Sequence, residues 1–440
     1  VLKNGNPELG GFGRSAGIGI RVLAGGGLGF SSTNDLSKQA VEKAILEAVK
    51  IAKATGRVNK TPIQFSEEKF TEARFKAKTR ENPADLDPDT KMSLTFEIDN
   101  SLKTSNLPFR IVVLGDSITS KYLVSNEGAK IESYVPRLTI FGVVTAVGSA
   151  GGMEQAYIQK GASGGYEWIK KWNLAEMLSE EAKLLNKVAN EAKKPPKNTT
   201  LDFVIGAEVA GIVSHENCGH PSEADRILGR EAAQAGESFL GVDKLGTRIG
   251  SDAVTIIDDP TIEGSNGFYL YDDEGVKAQP RYLIKNGIFN EMLHNRESAF
   301  VLETQSTAAS RAIGWNREPI IRMANTYFAP GDYTEEEIFE DIKLGIYMVN
   351  FHEWNIDDRR YQSKYVGRVA YLIKNGEVTD QLLRRPPLET TTPDLFNAVD
   401  ACAKDTAFDA ALCGKSDPMQ ACPVWHGGSK AVRLRNIQIN

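Results

Sequence analysis

Cysteine and histidine are both scarce in this chain. Its 440 residues include four of the first (Cys218, Cys402, Cys413, Cys422) and five of the second (His215, His220, His294, His352, His426). Thiols this sparse exclude the disulfide framework of a small secreted domain, and in a cytosolic enzyme they more often serve metal or chemistry. Long apolar runs are missing as well. No window approaches the roughly 20 unbroken apolar residues needed to cross a bilayer, and the opening Val1-Leu2-Lys3-Asn4-Gly5 has no apolar core like that of a signal peptide. These absences lead us to expect a cytoplasmic protein with no membrane partner. Nor is one charge in excess: 52 basic residues stand against 58 acidic ones, for a net charge of -6. That leaves no long positive surface to neutralise phosphates, so nucleic acid is not an expected partner. No G-x-G-x-x-G lies between a strand and a helix, and Gly25-Gly26-Gly27 therefore reads as a hairpin turn rather than a dinucleotide loop.

What the chain does contain is ordinary globular composition, 41% hydrophobic and 25% charged, at a length beyond the reach of a single core. Ala16 to Leu23 alternates like a strand and returns at Leu28-Gly29-Phe30. Ser32-Thr33-Asn34-Asp35 offers N-caps for a helix with Leu36, Val41, Ile45, Val49 and Ala52 on one face, ending before Gly56. Strand text follows over Phe109–Leu114, Lys121–Val124 and Leu138–Val147, then helical periodicity from Leu174 to Lys193, stopped by Pro195-Pro196. Leu201 to Val213 reads as a buried strand passing into a helix. A further helix is expected over Asp394–Lys404, which places Cys402 on it as a small buried residue. Asn286-Gly287 and Asn375-Gly376 each sit where a type I′ hairpin turn needs two residues at positive φ. The expected architecture is α+β: strand and helix domains over 1–90 and 91–197, then a β-rich C-terminal domain over 198–440 that carries the metal site.

The chemistry concentrates in Ser214-His215-Glu216-Asn217-Cys218-Gly219-His220-Pro221. In the H-E-x-x-H zinc motif, histidines four apart sit about 40° from one another on a helix and share a metal. Here the spacing is five, about 140° on a regular helix. Both imidazoles reach one ion only if the helix ends or bulges, and Gly219 with Pro221 allows such a break. Imidazole and thiolate suit zinc, whereas magnesium and calcium want oxygen. A catalytic zinc takes three protein ligands and leaves one position for water, and Glu216 stands where a general base would take that water's proton. The plainer alternative is a pair of satisfied interior histidines. Cys218, Cys402, Cys413 and Cys422, with His426, remain as sources of a third ligand. Glu223 and Asp225 read either as partners that orient a ligand imidazole or as solvated acids, and His294 and His352 as surface or packing residues.

His215-Glu216-x-x-Gly219-His220-Pro221-x-Glu223-Ala224-Asp225 resembles the H-E-x-x-x-H signature of the TldD/PmbA metallopeptidase family, in its TldD branch. Further segments are similar in family order: Arg322-Met323-Ala324-Asn325-Thr326 with Pro330-Gly331, Gly345-Ile346-Tyr347, Ala370 to Gly376, and Leu412-Cys413-Gly414-Lys415, followed by Gly427-Gly428. The resemblance implies one zinc per chain on His215, His220 and Cys413, with Glu216 as catalytic base. It also implies hydrolysis of short or unfolded peptides inside a chamber, by a homodimer or a heterodimer with a TldE/PmbA-like paralogue. The tail Ser416–Trp425 departs from the family text and carries Cys422, so Cys218, Cys422 and His426 stay open as replacements for Cys413. Asn325-Thr326 fits a turn before Pro330-Gly331 as well as it fits the family segment. The rival from another class is a non-catalytic scaffold or peptide-binding subunit with a structural zinc, which needs a fourth protein ligand.

Overall fold

A hairpin near the start of the chain turns on two glycines. In the computed structural model, which describes residues 1–8, 10–104, 107–149, 151–231 and 236–439, Ile18–Ala24 and Gly27–Thr33 pair antiparallel around Gly25 (φ +60°) and Gly26 (φ +74°). The helix Lys38–Val58 crosses this hairpin, but on a different face from the one expected. It buries Ala44, Ala48 and Ala52, whereas Leu36 is 59% and Ile45 41% exposed. The reason is backbone proximity: a Cβ on Gly27 or Gly29 would lie 2.1 Å from the carbonyl oxygen of Ala52 or Ala48, and branched side chains have no room there. Gly56 does not end the helix. It lies inside it, pressed against the carbonyl of Gly25.

Next come three long antiparallel strands, Phe109–Val124, Lys130–Val147 and Met153–Ser163. The segments expected as Phe109–Leu114 and Lys121–Val124 are one strand, because the polar stretch between them pairs residue for residue with the next strand. The helix Leu174–Glu191 covers this sheet and buries Leu174, Leu178, Ala182, Leu185, Val188 and Ala189, the 3.6-residue stripe visible in the sequence.

After them come two large sheets with the helix Ala207–Val213 packed between them. In the first, Thr199–Gly206 runs parallel to Leu344–Ile356 and antiparallel to Ala431–Ile439. In the second, Asn325–Phe328 lies parallel to Gln420–Ser429, which pairs with Thr406–Lys415. The intervening helix Ala207–Val213 buries Val209, Ala210, Ile212 and Val213 in one core with Phe203, Ile346, Phe328 and Val424. Both Asn-Gly pairs turn hairpins at positive φ, +49° and +75° for Asn286-Gly287, +49° and +83° for Asn375-Gly376. Cys402 is buried as expected, but not on a helix: the helix Thr392–Ala398 stops at Val399, and Val399–Cys402 joins the sheet beside Val432–Leu434. Sheet pairing outweighs helical continuation there. No helix among the described residues is long and apolar enough to cross a membrane.

Candidate metal centre

Because both sheets cover the helix Ala207–Val213, the chain leaves its last turn already buried, and Ser214–Gly219 continues it as a π-helical turn. The N–H of His220 donates to the carbonyl of His215, five residues back. One wide turn thus does what the five-residue spacing requires, bringing His220 edge-on to His215 with ring centroids 4.9 Å apart. The bulge occupies the whole of 214–219 rather than Gly219 alone, whose φ of -59° is ordinary helix. Gly219 is needed for space: a Cβ there would stand 2.0 Å from the sulfur of Met323.

Cys413 arrives from the strand Thr406–Lys415. Its Sγ lies 3.2 Å from His215 Nε2 and 3.4 Å from His220 Nε2. Around a tetrahedral zinc, with Zn–N near ~2.1 Å and Zn–S near ~2.3 Å, neighbouring ligand atoms sit about 3.4–3.6 Å apart. The donor set therefore fits zinc in chemistry, its two sulfur–nitrogen separations lie near zinc spacing, and all three donor atoms fall within 4.8 Å of one another. It is also the one three-residue cluster of this kind among the described residues. His220 Nδ1 meets Glu223 Oε2 at 2.9 Å, which fixes the tautomer that turns Nε2 toward Cys413. His215 Nδ1 is buried without a partner.

The surrounding charges favour the metal-binding protonation states. Burial pushes the His215 imidazole pKa down, toward the neutral form. Burial alone would raise the Cys413 thiol, but Arg322 and His220 outweigh it and leave the pKa below the ordinary value. Arg322 also ties the cysteine's strand to its neighbour, donating to the carbonyls of Cys413 and, on the paired strand, Gln420. For Glu223 burial is again the largest influence and acts upward, yet Lys415, His220 and Arg226 bring its carboxyl well below the usual range. Lys415, fully buried, lies 3.3 Å from Glu223 and 2.7 Å from Asp225. Of the two acids, then, Glu223 touches a candidate ligand, and Asp225 holds the lysine beside it.

Glu216, next to His215 on the same π turn, has its side chain 10% exposed and its Oε2 3.1 Å from Arg360 Nη1. Burial would raise its pKa, but His220, His215 and Arg360 more than compensate, so the carboxyl is held ionised. The other sulfurs stand apart. Cys218 Sγ is 4.0 Å from Ser222 Oγ, and burial pushes its thiol far up. Cys422 faces Cys413 across the strand pair, and all four cysteines are free. The His426 ring lies 6.5 Å from that of His215. His294 Nδ1 bonds Ser298 instead. Asn325 and Thr326 lie in a buried strand rather than a turn, where Asn325 ties Asp259, Ser265, Gly267 and Trp425 together.

Sequence reading missed Arg360, Tyr365 and the structural use of Asn217. Asn217 Nδ2 donates to Ser363 and Thr392, while its oxygen accepts from the hydroxyl of Tyr365. No local pattern marks Arg360 or Tyr365, since a hairpin far along the chain brings them to the motif.

The chain matches the PmbA/TldA metallopeptidase C-terminal domain over residues 198–439, domain 1 over 1–52 and the central domain over 81–194. A metalloprotease of Methanocaldococcus jannaschii is 33% identical over 428 residues, covering 97% of this chain and 91% of that protein. A zinc metalloprotease TldD homolog of Saccharolobus solfataricus is 31% identical over 261 residues, 59% of this chain and 56% of its own length. The fold is shared with the crystal structure of TldE from Thermococcus kodakarensis at a TM-score of 0.66 and 17% identity, over 95% of this chain and 88% of that one. Joined by family matches on all three segments and by a relative above 30% identity along nearly its whole length, the chain belongs to the PmbA/TldD family of metallopeptidases.

Proposed function

We propose that the chain is a zinc-dependent peptidase with one zinc held by His215, His220 and Cys413 and with Glu216 as general base. The observation that carries this reading is the ligand count. Three donor atoms lie within 4.8 Å of one another, and Cys218, Cys422 and His426 lie outside the cluster, which suits an open catalytic site rather than a closed structural one. Zinc in such a site supplies Lewis acidity, polarising a carbonyl and making a water easier to deprotonate. Glu216, ionised and within the same buried space, takes a proton from water and returns it to the leaving amine. Glu223 fixes His220, and Arg322 with Lys415 holds the strand that carries Cys413.

The burial of the site also speaks for its substrates. His215 is 5%, Glu216 7%, His220 3% and Cys413 6% exposed, so a folded protein would have to give up several kcal/mol of stability to feed a segment inside. Short or unfolded peptides are the fitting substrate class. A homodimer, or a heterodimer with a TldE-like paralogue, would complete the enclosure; the shared fold with TldE supports this reading. The test is to load the chain with one equivalent of zinc and offer one protein in its native and its reduced, alkylated form. Hydrolysis of the unfolded form alone is expected, together with a loss of at least hundreds-fold in Glu216→Gln at unchanged zinc content. Equal cutting of both forms, or Glu216→Gln within tenfold of the parent, would overturn it.

A further inference from the structure

One arginine at an exposed hairpin tip is turned inward onto the proposed base. The strands Leu344–Ile356 and Gln362–Lys374 are joined by five residues. Arg359 in that tip is 65% exposed, but the Arg360 side chain only 13%. Its backbone takes the left-handed conformation, φ +63°, which a non-glycine residue adopts only when its surroundings impose it. Those surroundings are specific. Asp357 Oδ1 accepts from the N–H groups of Tyr361 and Gln362, at 2.6 and 3.2 Å, and the Arg360 N–H donates to the Asp357 carbonyl at 3.0 Å. Thr392 Oγ1 donates to the Arg360 carbonyl at 2.7 Å, and Asn217, the residue after Glu216, donates to the same hydroxyl. The arginine and the base are thus fixed by one hydrogen-bonded chain.

The guanidinium at the end of this frame is underused. Nη1 stands 3.1 Å from Glu216 Oε2 without forming an aligned hydrogen bond, and the buried Nε has no partner. A built arginine with spare donors beside a general base points to a second acceptor, brought by the substrate. Resting on the peptidase reading above, we propose that Arg360 is a catalytic residue that binds the carbonyl oxygen of the peptide bond under attack.

Charge balance supports the exchange. As water attacks, one O–H bond breaks and its proton goes to Glu216. The oxygen's electron pair bonds to the carbonyl carbon, and the C=O π pair moves onto the carbonyl oxygen. Negative charge leaves Glu216 and appears on that oxygen in the same step, so one fixed guanidinium neutralises both states. Collapse of the adduct then breaks the C–N bond, and the proton passes from Glu216 to the amine. The interaction strengthens only as the adduct forms, which places its effect in kcat.

Arg360→Ala, Arg360→Gln and Arg360→Lys are compared with the parent chain for zinc content, melting temperature, kcat and KM on an unfolded peptide. Affinity is measured in parallel for a phosphinic peptide, whose tetrahedral anion mimics the adduct, and for its amide counterpart in the Glu216→Gln background. We expect zinc content to be kept, kcat to fall about 100-fold in the alanine and glutamine variants and less in lysine, and KM to move less than about threefold. Phosphinate affinity should fall by a similar factor while amide affinity stays, and millimolar guanidinium should partly restore Arg360→Ala. Should Arg360→Ala not fold, Arg360→Lys and Arg360→Gln decide. A rise in KM at constant kcat, equal weakening of both ligands, or kcat within tenfold of the parent overturns the proposal with the peptidase reading intact. A parent chain that cuts no peptide overturns both.

Discussion

Glu223→Gln isolates the charge behind His220 with almost no change of shape. In the parent, the carboxylate, fully buried, takes His220 Nδ1 at 2.9 Å, Arg226 Nε at 2.7 Å and Lys415 Nζ at 3.3 Å. The glutamine keeps one acceptor oxygen but turns an amide N–H₂ toward a set of donors. Loss of a partner behind a metal-ligating histidine typically costs about 10–100-fold in metal affinity, or about 1.4–2.7 kcal/mol. The apoprotein should weaken too. Stripping a buried charge of its partner costs about 3–5 kcal/mol, and since Lys415 retains Asp225 at 2.7 Å, we expect about 2–3 kcal/mol. The pH dependence has a definite sign. The folded-state carboxyl lies well below its ordinary value of 4.5, so its stabilisation is fully present above pH 4.5 and is lost as pH falls toward the folded value. The gap between parent and variant apoproteins in urea should therefore narrow by roughly 1.4 kcal/mol on going from neutral pH to about pH 3.5. Chelator competition reads the zinc affinity, and urea titrations at the two pH values read the stability. Zinc affinity within threefold of the parent, or a gap that widens in acid, would refute the claim that Glu223 orients and charges the site.

Zinc should drop sharply from one per chain in His215→Ala, His220→Ala and Cys413→Ser, and remain in Cys218→Ser, whose sulfur lies outside the cluster; elemental analysis decides, and retention in either histidine variant would remove the assignment. Gly219→Ala should destabilise the protein by about 1–3 kcal/mol through overpacking against Met323 and lower zinc affinity by shifting the π turn; the double change Gly219→Ala, Met323→Ala should recover part of both in thermal and chelator titrations, and no recovery would mean that the glycine serves the backbone instead.

How far the site can be read from the sequence follows from the range over which each residue is determined. The pair His215 and His220 is a local fact: once two sheets bury the segment, an i→i+5 turn is the one helical form that serves that spacing, and the sequence shows both the spacing and the apolar approach from Leu201. Elements with a period of their own are legible for the same reason, as in the stripe from Leu174 to Ala189 or the Asn-Gly turns. The helix Lys38–Val58 escapes such reading because its face is chosen by its neighbour. Periodicity ranks Ile45 above Ala44 for burial, but the glycine backbones of the hairpin leave room only for methyl groups, and this contact has no trace in the helix's own sequence. Cys402 is hidden by the same rule, since a strand pairing with Val432–Leu434 competes with helix continuation only in the folded chain. Arg360 is the extreme case: within Asp357-Asp358-Arg359-Arg360 it is indistinguishable from surface charge. What separates it from Arg359 is a left-handed turn fastened to Thr392 and, through it, to Asn217. The legible middle of the motif is thus held in place by residues that no local pattern reveals. Variants chosen from the motif alone would leave untouched the frame that aims it.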